Sequence, residues 1–193
     1  MMTQLSFYIN AVLLGIALAM DAFSISLANG LNEPSMKKSR MCLIAGTFGL
    51  FQILMPLVGW ICVHTITTIF VSFQRYIPWI AMILLLYIGG KMLYEGLTKK
   101  DDDESPSVGM AALILQGIAT SIDALSVGFT IAHYDFAAAL VESLIIGVVT
   151  FGICMGGLLI GRKFGTKLAG KANILGGLIL IAIGIEIFIK GLI

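Results

Sequence analysis

Six apolar runs dominate the chain, near residues 7–28, 41–63, 77–97, 109–131, 137–160 and 172–192, with short polar connections between them. Each is about 20 residues long, the length a helix rising 1.5 Å per residue needs to cross ~30 Å of hydrocarbon. The pattern predicts an all-α integral membrane protein with six transmembrane helices and no soluble domain. The first run reaches Asp21 without a basic leader or a small-residue cleavage site, so it is expected to persist as a helix.

Composition agrees. Of 193 residues, 59% are hydrophobic and 12% charged, with a net charge of +1, whereas soluble domains are about a quarter charged. No patch mixes basic and aromatic residues as a nucleic-acid surface does, so the expected surroundings are the lipid bilayer and no nucleic acid. The three cysteines, Cys42, Cys62 and Cys154, lie in apolar runs at spacings that fit neither a disulfide framework nor a zinc motif; they are read as packing residues.

The cations set a topology. Lys37, Lys38, Arg40, Lys99, Lys100, Arg162, Lys163, Lys167 and Lys171 fall after the first, third and fifth runs. Arg75 and Lys190 lie on the other side, and Lys91 lies within the third run. The positive-inside rule makes the larger group cytoplasmic and places both termini outside. The acidic run Asp101–Glu104 does not alter this, since acids weigh little in the rule; with Ser105-Pro106-Ser107 it reads as a solvated linker.

That linker, 99–107, separates two related halves, 1–98 and 108–193. Aligning 15–29 with 117–131 gives identities at Gly15, Ile16, Ala17, Asp21, Ala22 and Ser24. Ile88-Gly89-Gly90-Lys91 and Ile183-Gly184-Ile185-Glu186 correspond in the third and sixth runs, and Pro56–Gly59 stands where the fifth run has Leu158–Gly161. Three crossings per half invert the second half, the plan of many secondary transporters, whose sites lie near the midplane at the repeat interface. Asp21 is about seven residues, roughly 10 Å, from the inner end of its run, and Asp123 a similar distance from the outer end of its own.

A carboxylate at the centre of a membrane helix costs at least ~3 kcal/mol, so two at matching places point to a duplicated site. Facing carboxylates repel unless a proton or cation intervenes. Carboxylate, hydroxyl and amide oxygens suit hard or borderline divalent ions. Ser26, Asn29, Gln52, Thr120 and Asn173 are the further candidate donors. Ser24 and Ser126 each lie three residues beyond an aspartate, on the same helix face. No His or Cys adjoins either aspartate in sequence, which argues against a zinc or copper site. Lys91 with Glu95, and Glu186 with Lys190, are spaced i,i+4. They form in-helix ion pairs or serve gating and coupling.

From Asp21-Ala22-Phe23-x-x-Ser26 onward the sequence resembles the MntP family of bacterial manganese efflux pumps. The likeness continues through Pro56-x-x-Gly59-Trp60, Gly89-Gly90-Lys91-Met92-x-x-Glu95-Gly96, Ala119-Thr120-Ser121-Ile122-Asp123-Ala124 and Ile174-Leu175-Gly176-Gly177. The resemblance implies an inner-membrane protein of two three-helix repeats that exports Mn²⁺ as substrate, with no cofactor and no enzymatic activity. It carries the motif aspartates onto Asp21 and Asp123, the motif serine onto Ser26, and the third-span charges onto Lys91 and Glu95. Some members have Glu where this chain has the neutral amides Gln52 and Asn173.

Export of a divalent cation from an inside-negative cell requires coupling. The chain has no G-x-x-x-x-G-K-[ST] loop, so exchange with protons at the aspartate pair is expected. The alternative is an exporter of a small organic solute such as an amino acid, for which the spans offer only Lys91 as a carboxylate partner. An intramembrane aspartyl protease would also use two aspartates, but Asp123 lacks a G-x-G-D context and such an enzyme needs no inverted repeat.

Overall fold

The computed structural model describes residues 4–65, 77–98, 108–168 and 172–192. Among the described residues there are seven α-helices: α1 (Gln4–Asn32), α2 (Lys38–Thr65), α3 (Ile77–Thr98), α4 (Met110–Thr120), α5 (Ile122–Thr130), α6 (Phe136–Leu168) and α7 (Ala172–Leu192). A 3₁₀ turn, Ile131–His133, follows α5. There is no strand among the described residues. Among the described residues four segments are long and apolar enough to cross a membrane: Gln4–Asn32, Lys38–His64, Met110–His133 and Phe136–Gly165. The helices α3 and α7 stand where the third and sixth runs lie, and α7 includes the shorter apolar stretch Ile174–Ile183. The linker 99–107 and Arg75 lie outside the described residues.

The fourth run, expected as one helix, is broken at Ser121 between α4 and α5. The cause is local. Ser121 Oγ donates to the Gly117 carbonyl at 2.7 Å, and Thr120 Oγ1 to the Gln116 carbonyl at 3.0 Å. These short side chains compete for the carbonyls of the preceding turn and bend the helix. The Ser121 amide then bonds Ile118 at 3.2 Å, three residues back, and Ser121 leaves helical geometry with φ −104° and ψ 7°.

Glycines set the packing. A Cβ at Gly157 would stand 2.8 Å from the Phe23 carbonyl, and one at Gly161 would overlap that of Leu27. Small residues let backbones approach this closely in lipid, where burying apolar surface supplies no drive. Going down α1, Gly15 lies beside Ile146, Phe23 beside Gly157 and Leu31 beside Gly165, so α1 and α6 run parallel. Phe51 against Gly117 and Gly59 against Gly128 make α2 parallel to α4 and α5. Gly49 meets Phe151 while Ile53 meets Gly147, so α2 and α6 are antiparallel. Gly89 meets Ile181 while Leu93 meets Gly177, so α3 and α7 are antiparallel as well. Ile25, Phe48, Leu113, Cys154, Leu158 and Leu180 meet in the shared core. Large apolar side chains such as Leu13, Leu54, Tyr87, Val148 and Leu159 point outward, as a lipid-facing surface requires.

At the end bearing the turn after α1, Arg40 bonds Glu33 at 3.1 Å and also the Val108 carbonyl, and Arg162 Nε donates to the Pro34 carbonyl at 3.1 Å. Two cations from the predicted cytoplasmic group thus tie α1, α2, α6 and the start of α4 together.

Candidate cation site

The break at Ser121 puts Asp123 in the first turn of α5. The first amides of a helix are unpaired and carry the positive end of its dipole, which favours a carboxylate there. Asp123 is exposed on the protein surface. Asp21 sits in the unbroken α1 and is half-buried. Asp21 is about 16 Å from the Asn32 end of α1, and Asp123 about 15 Å from the His133 end of its segment, at 1.5 Å per residue. Both are therefore deep within their crossings.

Gln52 of α2 joins the two segments that carry them. Its amide nitrogen donates to the Leu18 carbonyl of α1 at 3.0 Å and to the Thr120 carbonyl of α4 at 3.4 Å. Leu18 and Thr120 each precede an aspartate by three residues and match in the repeat alignment. One buried amide thus bridges equivalent points of the two halves. Its oxygen, Oε1, is buried with no hydrogen-bond partner. Pro56, one turn along α2, has no N–H to give the Gln52 backbone carbonyl.

The other expected donors divide. Asn29 is buried and paired with Gln116 of α4, with Nδ2 donating to Oε1 at 2.8 Å and Gln116 Nε2 donating back at 3.3 Å. This pair locks α1 to α4 on the Asn32 side of Asp21. The Thr120 hydroxyl is committed to its own helix. Ser26 is fully buried against Gly157. Ser24 donates to the Met20 carbonyl at 3.0 Å, and Ser126 is exposed. Lys91 and Glu186 are exposed; the side chains of Glu95, Lys190 and Asn173 lie outside the described residues. Among the described residues, no three His, Cys, Asp or Glu side chains are grouped to hold a metal.

The model of the family described as "Putative manganese efflux pump" matches residues 35–188. The chain belongs to this family. It is 42% identical over 181 residues to the "Putative manganese efflux pump MntP" of Methanobrevibacter smithii, covering 94% of this chain and 96% of that protein. It is 41% identical over 197 residues to MntP 2 of Clostridium botulinum strain Hall, covering 94% of each. With the Methanosarcina mazei relative it shares 43% over 180 residues, 93% of this chain and 95% of that protein. No solved structure matches.

Three polar residues of this manganese efflux pump family member went unmarked in the sequence reading. Gln116 is fully buried as the partner of Asn29. Thr150 is fully buried on α6 with its hydroxyl unpartnered. Glu142 is 3% exposed with Oε2 unpartnered. A short polar side chain in an apolar run carries no periodic signal. Glu142 did carry one, as an ionisable group within the fifth run.

The register of the repeats also differs from the alignment in one place. Gly59 packs under the carbonyl of Leu125, two residues after Asp123, and Gly157 under that of Phe23, two residues after Asp21. By packing, Gly157 is the counterpart of Gly59, one turn before Gly161. Alignment of apolar runs cannot resolve a one-turn shift, because Leu and Ile repeat through every turn.

Proposed function

We propose that this protein is a secondary transporter that exports Mn²⁺ from the cytoplasm, across the cytoplasmic membrane, in exchange for protons. The observation that carries the reading is the Gln52 bridge between the Leu18 and Thr120 carbonyls. It supports a two-fold-related site in which Asp21 and Asp123 flank one buried amide.

The architecture proposed is six crossings in two inverted three-helix repeats, residues 1–98 and 108–193, joined by a cytoplasmic linker, with both termini outside. The helix directions support it: α1 with α6, α2 with α4 and α5, α2 with α6 and α3 with α7 run parallel or antiparallel as a chain crossing at each helix demands. The contacts support the inversion. Exchanging the halves turns the α1–α6 pair into α2 with α4–α5, turns α1–α7 into α3–α4, and returns α2–α6 and α3–α7 to themselves; all these pairs pack together.

Asp21 and Asp123 are the proposed cargo carboxylates, with Gln52 Oε1 and Ser26 as neutral oxygens. Asn29 serves by closing α1 against α4, and Thr120 through its backbone carbonyl. Asn173 is retained as a donor, and Lys91, Glu95 and Glu186 as coupling or gating groups, from the sequence alone. The asymmetry between an unbroken α1 and a broken α4–α5 is the difference that alternating access needs, since one half opens while its counterpart is closed.

Energetics dictate coupling. A divalent cation leaving an inside-negative cell climbs about 4.6 kcal/mol per 100 mV, twice the cost of a single charge. Two protons entering per metal leaving makes the exchange electroneutral and removes that term.

The test is ⁵⁴Mn²⁺ movement in everted membrane vesicles with an imposed proton gradient, comparing wild type with Asp21→Asn. Gradient-driven uptake that the mutant lacks is expected. Wild-type uptake indifferent to the pH gradient sinks proton exchange, and no manganese movement at all sinks the transport reading.

A further inference from the structure

We infer that Glu142 is a proton-binding group on the outer half of the transport path, receiving protons from the cavity at that end of the molecule. The inference rests on the proton-exchange reading above.

Glu142 lies in the second turn of α6, about 9 Å from its start at 1.5 Å per residue. It is 3% exposed, and Oε2 has no hydrogen-bond partner. A carboxylate out of water needs a proton, a counter-charge or donors to each oxygen. A cation is the wrong occupant, because no second and third metal-binding side chain joins it among the described residues. A proton is the ligand that one buried carboxyl can take alone.

The route for that proton is on the same face. A cavity of about 620 Å³ opens between α1 and the α5–α6 connection, lined by Tyr8, His133, Tyr134, Ala138 and Val141 among others. Ala138 is one turn before Glu142 and Val141 adjoins it, so the carboxyl stands just behind the cavity wall. The α1–α6 register, Gly15 beside Ile146, brings the buried Ala11 level with Glu142, and α1 offers no charge there. His133 is exposed to the cavity and close enough for its charge to act on Glu142. Tyr134 feels the carboxylate in turn: burial first, then the charge of Glu142, pushes its phenol above the usual range. Asp135 accepts the Ala138 amide at 3.0 Å and so caps α6. His64, at the end of α2, stacks on Trp60, whose indole donates to the Tyr134 carbonyl at 3.1 Å. Among these groups His133 is the basic side chain that both lines the cavity and acts by its charge on Glu142.

The proton balance closes. A proton from outside enters through His133 and binds Glu142 Oε2. It then passes to an aspartate carboxylate that has lost its metal, leaving Glu142 ionised again. Two such transfers load the aspartate pair, and metal binding from the cytoplasm displaces both protons inward.

The experiment separates net transport from exchange in the same everted vesicles. Exchange of ⁵⁴Mn²⁺ for unlabelled Mn²⁺ at equal pH needs the cargo site but no proton release. For Glu142→Gln, gradient-driven uptake is expected to fall about a hundredfold, the usual cost of losing a positioned proton-transfer group, while exchange is retained. Coupled uptake at the wild-type rate in Glu142→Gln overturns the inference, as does loss of exchange together with uptake. If wild type itself shows no response to pH, the exchange reading fails first. Should the variant not reach the membrane, wild-type protein treated with a hydrophobic carbodiimide decides. Modification on the peptide carrying Glu142, with net uptake lost and exchange kept, supports the role; an unmodified Glu142 overturns it.

Discussion

Gln52 shows how one side chain can serve two helices. Its amide nitrogen meets carbonyls from both halves, and a leucine there would leave Leu18 and Thr120 without that donor. Gln52→Leu is expected to destabilise the protein by about 1 kcal/mol, the scale of polar contacts between membrane helices, and to lose export. Thermal unfolding in detergent and vesicle uptake measure the two effects. Asp21→Asn and Asp123→Asn are each expected to abolish manganese tolerance of cells while the protein still reaches the membrane. Normal tolerance in either variant would make that aspartate structural.

At the scale of elements, the helices are held by close backbone approach more than by interlocking side chains. A methyl at Gly59 would overlap the Leu125 carbonyl, whereas one at Gly152 would meet nothing within 4 Å. Gly59→Ala is therefore expected to cost about 1–3 kcal/mol, as overpacking does, and Gly152→Ala close to nothing. Melting temperatures of the two purified variants test this directly, and equal values would refute the packing. The Asn29–Gln116 pair is the polar counterpart between α1 and α4. A double-mutant cycle with alanine at both positions is expected to return a coupling of about 0.6–1.7 kcal/mol; a coupling of zero would show that the pair does not fasten these helices.

At the scale of the whole molecule, the two halves are asymmetric. Asp21 sits in a continuous helix and Asp123 at a helix break, so the two halves differ although their sequences match. Reversal of that difference is the expected event when the protein opens to the other side. Cysteines introduced in turn at Leu18 and Thr120 should then change accessibility to a membrane-impermeant thiol reagent in opposite senses when Mn²⁺ is added. Parallel changes would argue against alternating access. Tags at both termini are expected to be digestible from outside intact cells.

Much of this was legible in the chain. Run lengths gave helix positions because hydrocarbon thickness admits a narrow range; α1, α2, α3 and α7 begin and end close to the apolar runs, while α6 continues past residue 160 to Leu168. The family was legible because its motif blocks recur in order. The aspartates stood out because a charge in lipid is costly and both carry the same neighbours. Other features do not show in the hydrophobic pattern. The break at Ser121 arises where two hydroxyl side chains turn back onto their own helix. That Asn29 is tied to Gln116, while Gln52 keeps a free oxygen, depends on which helices adjoin them. The one-turn shift between Gly157 and Gly161 is set by backbone approach, to which hydrophobic periodicity is blind. Glu142 is a lone ionisable residue in an apolar run, and only the packed structure shows that it is buried. The sequence by itself determined that the chain enters lipid, how long its helices are and which charges it carries there. The tertiary structure decided which polar atoms are satisfied and which remain free to bind, because in lipid only a neighbouring helix can replace water.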